Sequence, residues 1–307
     1  MFLYFNFLSI ALLLRATNST LAEPPSSAAI LVETRNNEAL HYVLKRADEF
    51  LPSHFSIVLI TNKFVGSIVS SAACHRNITI KVLLNATLDR QGYNRLLKSR
   101  SLYTDTLEAY DRLLFFQTDT VFCRPFHEWM NEWSREDDDD IDVGYVGAVW
   151  HESVLSNKKG FACAALRDQS LARAYVRVGN GGFSYRSKKI MLEVLDRWNE
   201  NSDPHANEDL LFACGSHYLE ALATEDAANR FCIESVPFDE EMATFSSYMG
   251  TPFGVHKPWK YQSVENLKRL IQACPPLQGL IDAQEEKNVV VDMVADDEGV
   301  RQLESSL

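Results

Sequence analysis

The feature that most constrains the fold is an alternation of short apolar runs with longer segments that carry apolar residues at helical spacing. The apolar runs lie at residues 28–32, 56–60, 78–84 and 112–117. Each has the length of a buried strand and is too short for a core helix. Strands that alternate with helices are typical of a parallel sheet, because each crossover helix covers a face of the sheet. The sequence therefore predicts an α/β fold with a mainly parallel central sheet flanked by helices.

The same patterns predict the remaining elements and the domain limits. Helices are predicted at residues 38–51, 65–73, 92–110, 129–133, 188–200 and 210–223. Later strands are predicted at 142–150 and 231–236, a tight turn into a strand at 178–187, and a loop at 252–260. A Pro/Ser linker at 23–27 precedes the folded domain, residues 28–262. Residues 263–307 are predicted to contain a C-terminal helix and an acidic, loosely ordered tail.

The charge of the chain argues against nucleic acid as a partner. The 307 residues include 42 acidic and 30 basic side chains, which gives a net charge of −12. No basic stripe is available to neutralise a phosphate backbone. The hydrophobic content of 46% is sufficient for one large domain or two small ones.

The amino terminus has the features of a secretory segment. Residues 2–14 form an almost continuous apolar run, shorter than the roughly 17–25 residues that span a bilayer. A cleaved signal peptide over residues 1–22 is therefore favoured. A short membrane anchor stays open, because no basic residue precedes the run. Three sequons, at Asn18, Asn77 and Asn85, fit a lumenal glycoprotein. We thus expect the ER or Golgi lumen, as a type II membrane protein, or secretion.

Six cysteines bear on the same question. They are Cys74, Cys123, Cys163, Cys214, Cys232 and Cys274. An even number in an oxidising compartment permits disulfides, whereas buried free thiols remain the alternative. The absence of any Cys-x-x-Cys spacing argues against a zinc site.

A polar turn ends the fourth apolar run. Residues 112–124 read RLLFFQTDTVFCR, so Gln117, Thr118 and Asp119 follow a predicted buried strand. Ligands of open α/β sheets bind at the carboxyl ends of the strands. A carboxylate in that place suits a hard cation that carries phosphates. The alternative is an Asp that caps the next turn.

Three later stretches carry further polar groups. Residues 178–187, VGNGGFSYRS, surround Asn180 with glycines, which permit close approach of the backbone to a ligand; a simple tight turn is the alternative. Glu208 and Asp209 open a predicted helix, where acidic residues are also ordinary capping chemistry. Residues 252–260, PFGVHKPWK, place an imidazole, two ammonium groups and an indole in one predicted loop.

In their order along the chain, these stretches resemble glycosyltransferases of the A-type (GT-A) fold. More closely, six motifs look like a eukaryotic family of proposed GT-A glycosyltransferases that is labelled only as domain-of-unknown-function family 5672. The motifs are ETR (33–35), FQTD (116–119), YVGAVW (145–150), VGNGGFSYRS (178–187), NEDLLF (207–212) and GVHKPW (254–259). The resemblance covers residues 28–262, and the combination of GNGGFS with GVHKPW is its most specific part.

The resemblance implies transfer of a sugar from a nucleotide-sugar donor, most often a UDP-sugar in this fold, to a hydroxyl of a glycan or protein acceptor. Such enzymes neutralise the diphosphate leaving group with a divalent cation or cationic side chains. By resemblance, Asp119 and His256 are the metal ligands, and the imidazole favours Mn²⁺ over Mg²⁺. The implied donor-binding residues are Glu33, Thr34, Arg35, Gln117, Asp119, Asn180, Gly181, Gly182 and Lys257.

The resemblance also implies a general base. Asp209 would remove the proton from the acceptor hydroxyl and Glu208 would orient the acceptor, as in inverting enzymes of this fold. Retention of configuration stays open, because the stereochemical outcome depends on geometry that a sequence does not contain.

One position departs from the A-type pattern. Gln117 stands where the first Asp of an Asp-x-Asp motif is expected, and a neutral amide brings no charge to a metal ion. Metal affinity is therefore expected to be modest. A GT-A-fold protein that binds nucleotide or glycan without catalysis is the alternative function, and a secreted structural glycoprotein that binds no nucleotide is a third.

Overall fold

The computed structural model of the chain describes residues 26–71, 78–84, 87–136, 143–151, 163, 176–198, 207–238 and 251–285. In these ranges the strands are β1 (Ser27–Val32), β2 (Phe55–Asn62), β3 (Ile78–Leu84), β4 (Arg112–Phe116), β5 (Thr120–Phe122), β6 (Tyr145–Val149), β7 (Val178–Ser187), β8 (Cys232–Ile233) and β9 (Gly254–His256). The predicted signal segment, the three sequons and the acidic tail beyond residue 285 lie outside the described residues.

Six strands form the central sheet in the order β3-β2-β1-β4-β7-β6. β1 pairs in parallel with β2 and β4, and β2 pairs in parallel with β3. Among the described strands of this sheet, β7 alone has the reverse direction, and it pairs in antiparallel fashion with β4 and β6. The predicted α/β class with a mainly parallel central sheet is confirmed. The carboxyl ends of β1 and β4 consequently meet at one edge of the sheet.

Helices cover both faces of this sheet. They are α1 (Glu38–Phe50), α2 (Lys63–Ser71), α3 (Arg90–Leu97), α4 (Phe126–Glu136), α5 (Lys188–Trp198), α6 (Glu208–Tyr218), α7 (Glu225–Phe231), α8 (Val264–Ala273) and α9 (Pro276–Glu285). Alternate residues of a strand point to opposite faces, so β1 contributes to two cores. Ala29 and Leu31 belong to the core that contains α1, and Ala28 and Ile30 to the core that contains α5 and α6.

The first helix shows how the sequence determines an element. Asn37 precedes α1, and its side chain accepts a hydrogen bond from the amide of Leu40 at 2.8 Å, which caps the helix. Leu40, Val43, Leu44 and Ala47 are buried, at the spacing of one helical face. The predicted helix at residues 38–51 is therefore confirmed to within one residue.

A second, three-stranded sheet has the order β5-β9-β8. The predicted loop at residues 252–260 is wrong in its centre, because Gly254–His256 is the middle strand of this sheet. Val255 is fully buried there, and it pairs with Val121 of β5 on one side and with Ile233 of β8 on the other. Backbone groups buried at that depth need such partners, which a loop would not supply.

Two further element predictions are corrected. The predicted helix at residues 92–110 ends with α3, and a π-helical segment, Leu102–Thr106, follows it. The buried residues Leu97, Leu102 and Leu107 are five apart, a spacing that matches the wider π turn rather than the α-helix. The predicted strand at 231–236 is only Cys232–Ile233, because Phe231 still belongs to α7.

The packed core continues past the predicted domain limit at residue 262. Leu270, Leu277 and Leu280, from α8 and α9, are fully buried in the core that also contains α1. A disulfide joins Cys123, directly after β5, to Cys274 between α8 and α9. These two helices are thus part of the folded unit.

The cysteines divide between the two states that the sequence left open. A second disulfide joins Cys163 to Cys214 of α6, whereas Cys232 is a buried free thiol. Cys74 lies outside the described residues. No helix in the described ranges has both the length and the apolar character needed to cross a membrane.

Candidate functional site

A cleft of about 480 Å³ lies at the edge where β1 and β4 end. Residues 32–35 line one side of it, residues 117–119 another, and the start of α3 with Lys257 completes it. Glu33–Arg35 and Gln117–Asp119 thus lie together at the carboxyl edge of the parallel strands. This is the edge at which open α/β sheets bind ligands.

Glu33 organises the turn after β1. Its Oε1 accepts hydrogen bonds from the backbone amides of Thr34 and Arg35, both at 2.8 Å. Its Oε2 accepts from the Arg35 guanidinium at 2.8 Å and from the Thr118 hydroxyl at 3.3 Å. Since Glu33 is buried and its oxygens are engaged, we infer that it shapes the cleft and holds the Arg35 side chain. The Arg35 side chain itself remains 63% exposed. Hydrogen bonding to Glu33 is also the main cause that raises the pKa of Arg35.

Gln117 lies in the cleft beside an aromatic hydroxyl. The Tyr93 side chain forms a hydrogen bond with Gln117, and burial raises the pKa of Tyr93 well above its usual value. The main chain turns sharply here, since the Thr120 hydroxyl and amide both donate to the Gln117 carbonyl, at 2.7 and 3.1 Å. The Gln284 side chain of α9 donates to the Thr118 carbonyl at 2.9 Å. The turn that carries Asp119 is therefore fixed from both sides.

The structure brings Asp119, His256 and Lys257 together. Thr120 of β5 pairs with His256 of β9, and the amide of Lys257 donates to the Asp119 carbonyl at 3.0 Å. This register places Asp119 Oδ1 3.3 Å from His256 Nε2 and Asp119 Oδ2 2.7 Å from Lys257 Nζ. Lys257 adopts a left-handed conformation with φ of 48°, which is uncommon for a residue with a Cβ and accompanies functional sites.

The charges of this group are strongly coupled. Burial alone would raise the pKa of Asp119, but His256 and Lys257 outweigh burial and hold that pKa well below its usual range. Burial alone would lower the pKa of His256, but Asp119 and Glu234 outweigh it and raise that pKa to about 9. Asp119 is therefore a carboxylate at neutral pH, facing a cationic ring.

Glu234 is a site residue that the sequence reasoning missed. Its Oε1 lies 3.1 Å from His256 Nδ1, on the side of the ring opposite to Asp119. The available signal was a carboxylate directly after a short apolar strand. That is the pattern that singled out Asp119, but Glu234 belongs to none of the motifs that carry the family resemblance.

Asp119 and His256 could together hold a divalent cation, provided that the ring gives up its Nε2 proton. Asp119 Oδ1 and both ring nitrogens of His256 are buried, and none of the three makes a hydrogen bond of normal geometry within the described parts of the chain. Buried polar atoms normally have partners, so two unpaired ones 3.3 Å apart fit a site completed by another group. No cluster of three or more His, Cys, Asp or Glu residues that could hold a metal occurs among the described residues. The described residues thus offer two candidate ligands, Asp119 and His256.

The Gly-Asn-Gly-Gly segment lies in a bulged part of β7 and not in an isolated tight turn. Gly147 of β6 pairs with Ser184 whereas the next residue, Ala148, pairs with Asn180, so residues 181–183 of β7 are extra. The Asn180 side chain accepts a hydrogen bond from the amide of Gly182 at 2.9 Å, which stabilises the bulge.

Each of the two adjacent glycines touches a different functional group. A Cβ at Gly182 would lie 2.3 Å from the His256 ring, and a Cβ at Gly181 would lie 2.4 Å from Glu208 Oε1 and 2.8 Å from the Cβ of Asp209. No side chain fits at either place. The absence of side chains at these two glycines therefore lets His256 pack against Gly182 and the start of α6 pack against Gly181.

Glu208 does not occupy the place that the sequence resemblance implied. Its Oε2 accepts a hydrogen bond from Arg186 at 2.9 Å and its Oε1 accepts a longer one at 3.3 Å. Both side chains are buried, and the guanidinium also stacks against Phe115, Tyr145 and Phe212. A carboxylate enclosed in this way cannot orient an acceptor directly, so we assign it to holding the start of α6.

Asp209 has the electrostatics expected of a base. Burial, together with the charge of Glu208, raises its pKa to about 7. One of its oxygens accepts a hydrogen bond from the amide of Leu210 at 2.8 Å, which fixes the side chain. A carboxyl with a pKa near the operating pH can both accept and release a proton.

Comparisons with known proteins agree with the motif resemblance. The model of a family described as "Protein of unknown function (DUF5672)" matches residues 77–256. No curated protein matches the chain.

Solved structures to which the fold is similar are glycosyltransferases. Core-mannan synthase A from Aspergillus fumigatus, in its Mn/GDP form, is 10% identical with a TM-score of 0.41 over 65% of this chain and 71% of that one. The mannosyltransferase Ktr4p from S. cerevisiae is 9% identical with a TM-score of 0.40, over 62% and 65%. Mouse xyloside xylosyltransferase 1, in its apo form, is 9% identical with a TM-score of 0.42, over 75% and 97%.

Proposed function

The chain belongs to the family of proteins of unknown function DUF5672, and we propose that this member is a glycosyltransferase. The membership predicted from the sequence motifs is thereby confirmed. The proposed reaction transfers a sugar from a nucleotide-sugar donor, in the first instance a UDP-sugar, to a hydroxyl of a glycan or protein acceptor.

One observation carries the proposal: two adjacent glycines lie against Asp209, a carboxylate with a pKa near 7, and against His256, whose neighbour Asp119 lines the cleft. Gly181 and Gly182 link the two, since one contacts Asp209 and the other contacts His256. Group transfer from a diphosphate to a hydroxyl needs both parts, a base for the hydroxyl and cationic groups for the leaving diphosphate.

The residues divide the work as follows. Asp119 and His256 would hold a divalent cation, Mn²⁺ before Mg²⁺, and such an ion supplies charge neutralisation to a diphosphate when bound. Lys257 and Arg35 lie at the cleft and add positive charge, while Gln117 and Tyr93 offer neutral hydrogen-bonding groups to the nucleoside.

Asp209 acts on the acceptor. As the acceptor oxygen bonds to the anomeric carbon, the bond from that carbon to the diphosphate breaks and the hydroxyl proton moves to Asp209. Attack from the face opposite to the leaving group inverts the configuration. The amide of Leu210 keeps one carboxylate oxygen in place during this transfer.

We also propose that the protein works in the secretory pathway, in the ER or Golgi lumen or after secretion. The two disulfides support an oxidising compartment. The apolar run at residues 2–14 supplies either a signal peptide or a membrane anchor.

The deciding experiment measures donor hydrolysis and transfer over a panel of nucleotide sugars and acceptors, with MnCl₂ present. We expect activity in the wild type and loss of activity in Asp119→Ala. The control Asp196→Ala removes an exposed carboxylate of α5 that pairs with Arg100, and it should retain activity. Tight UDP binding that is insensitive to Mn²⁺ and to Asp209→Ala, without turnover, would instead establish the non-catalytic binding protein.

A further inference from the structure

The second carboxylate at His256 has a role that the reaction itself does not require. We propose that Glu234 is a positioning residue, which holds the His256 ring so that Nε2 faces Asp119 and the cleft. This inference rests on the proposed function, in which His256 Nε2 and Asp119 Oδ1 hold the cation.

Strand pairing places Glu234 beside the imidazole. β8 and β9 are parallel, with Cys232 next to Gly254 and Ile233 next to Val255. One residue further along, the same register sets Glu234 beside His256. β5 lies on the other side of β9, so His256 stands between Asp119 and Glu234.

Glu234 is buried and dedicated to this contact. Only 3% of its surface is exposed, and among the described residues His256 is its only cationic partner, at 3.1 Å from Nδ1. A buried carboxylate without a cationic or hydrogen-bonding partner is strongly destabilising. The His256 ring is the partner that stabilises the carboxylate of Glu234 in its place.

The backbone around Glu234 is fixed independently of the ring. The Gln262 side chain donates to the carbonyls of Glu234 and Val236, at 2.8 and 2.7 Å, and accepts from the amide of Phe238 at 2.9 Å. Gln262 is itself buried and follows the His256–Lys260 segment closely. The carboxylate is therefore presented to the ring from a rigid support.

The chemistry of imidazole gives this arrangement its meaning. A neutral imidazole carries one proton, and a metal ligand must offer the nitrogen that lacks it. A carboxylate at Nδ1 keeps the proton on that atom, so a cation that binds would displace the proton of Nε2 and use the Nε2 lone pair. Such outer carboxylates orient a ligating histidine, and their loss typically lowers metal affinity or activity by about 10–100-fold.

The test compares Glu234→Gln with wild type in two measurements that need no turnover. Titration of free Mn²⁺ by electron paramagnetic resonance should show an affinity about 10–100-fold lower in Glu234→Gln. Long-range ¹H–¹⁵N spectra of the metal-free protein, recorded above the His256 pKa of about 9 so that the ring is neutral, should show the proton on Nδ1 in wild type and its transfer to Nε2 in the variant. The His256→Gln spectrum identifies the signal among the eight histidines.

Matched variants separate positioning from general stability. Glu132→Gln removes a partly buried carboxylate that pairs with Arg124 and should leave both measurements unchanged. Glu234→Asp keeps the charge and should recover part of the Mn²⁺ affinity lost in Glu234→Gln. If Glu234→Gln does not fold, Glu234→Asp alone decides, and an affinity equal to wild type overturns the proposal.

The remaining outcomes distinguish this proposal from the proposed function. Equal Mn²⁺ affinity and equal ring protonation in wild type and Glu234→Gln overturn the positioning role and leave the glycosyltransferase standing. Absence of Mn²⁺ binding in the wild type, with the ring proton still displaced in Glu234→Gln, supports the positioning role and contradicts the cation.

Discussion

Two carboxylates lie on either side of Gly181 and Gly182, and their surroundings differ. Both oxygens of Glu208 are bonded to Arg186, which is stacked among three aromatic rings. Asp119 is partly exposed and also lies next to cations, yet its Oδ1 has no hydrogen bond in the described structure. A fully satisfied pair maintains shape, whereas an unsatisfied one has capacity for a ligand. We therefore place binding at Asp119 and support at Glu208.

Removal of Arg186 should have the largest effect and should act on stability. Arg186→Ala leaves Glu208 buried and unpaired, and breaking such a pair costs about 3–5 kcal/mol of unfolding free energy. Urea denaturation measures this loss. The double variant Arg186→Met/Glu208→Leu should regain most of it, because no charge stays uncompensated. Equal losses in the single and double variants would mean that the stacking of Arg186, and not the ion pair, supports the fold.

Replacement of the base should affect activity and spare stability. Asp209→Asn removes the proton acceptor and should lower kcat by about 10²–10⁴-fold, with UDP binding unchanged. The pKa of Asp209 is raised in the fold, from 3.8 to about 7, so its charged form is disfavoured there. The neutral variant should consequently be at least as stable as wild type above pH 7. Retained kcat would remove Asp209 from the mechanism.

A methyl group added at Gly182, between the surroundings of Asp119 and those of Glu208, should have an intermediate effect on kcat. The Cβ of Gly182→Ala would overlap the His256 ring at 2.3 Å, so the ring must move. Displacement of a reacting group by about 1 Å can lower the rate about 10²-fold, and kcat with Mn²⁺ is the measurement. Gly66→Ala is the control, since its Cβ would meet only side-chain atoms at 3.3 Å or beyond.

The smallest effect concerns pH. Activity should rise about tenfold per pH unit up to the Asp209 pKa of about 7 and be constant above it. The stability that Asp209 contributes has the opposite slope. It is complete below pH 3.8 and is lost as pH rises through 7, because the fold retains the proton longer than the unfolded chain does. Unfolding curves of wild type and Asp209→Asn should therefore diverge between pH 4 and 7.

The sequence was sufficient for the parts of the fold that depend on local pattern. The limits of β3 are those predicted, and the apolar face of α1 follows its helical spacing. Motif order likewise singled out Asp119, His256 and Asp209 in distant parts of the chain, and the structure brings all three close to Gly181 and Gly182. Parallel strands make such selection feasible, because their carboxyl ends converge on one edge.

The rest depended on partners that no local pattern identifies. Glu234 and Arg186 are single charges in or beside apolar strands, and their roles arise from pairing registers set by residues far away. The same cause explains the error at Gly254–His256. Its glycine and proline neighbours indicate a loop. The segment is nevertheless a strand, because it pairs with β5 on one side and with β8 on the other.

The order in which the parts of the site are synthesised has a consequence for its biogenesis. Glu33–Arg35 and Asp119 emerge from the ribosome well before His256, which lies on the last strand of the described residues, and Cys274 and Gln284 come later still. The bond between Cys123 and Cys274 spans a sequence separation of 151 residues. The proposed site therefore cannot be complete until α8 and α9 have been released. A disulfide that the oxidants of the compartment form earlier between Cys123 and another cysteine would block the link to Cys274 until thiol–disulfide exchange removes it.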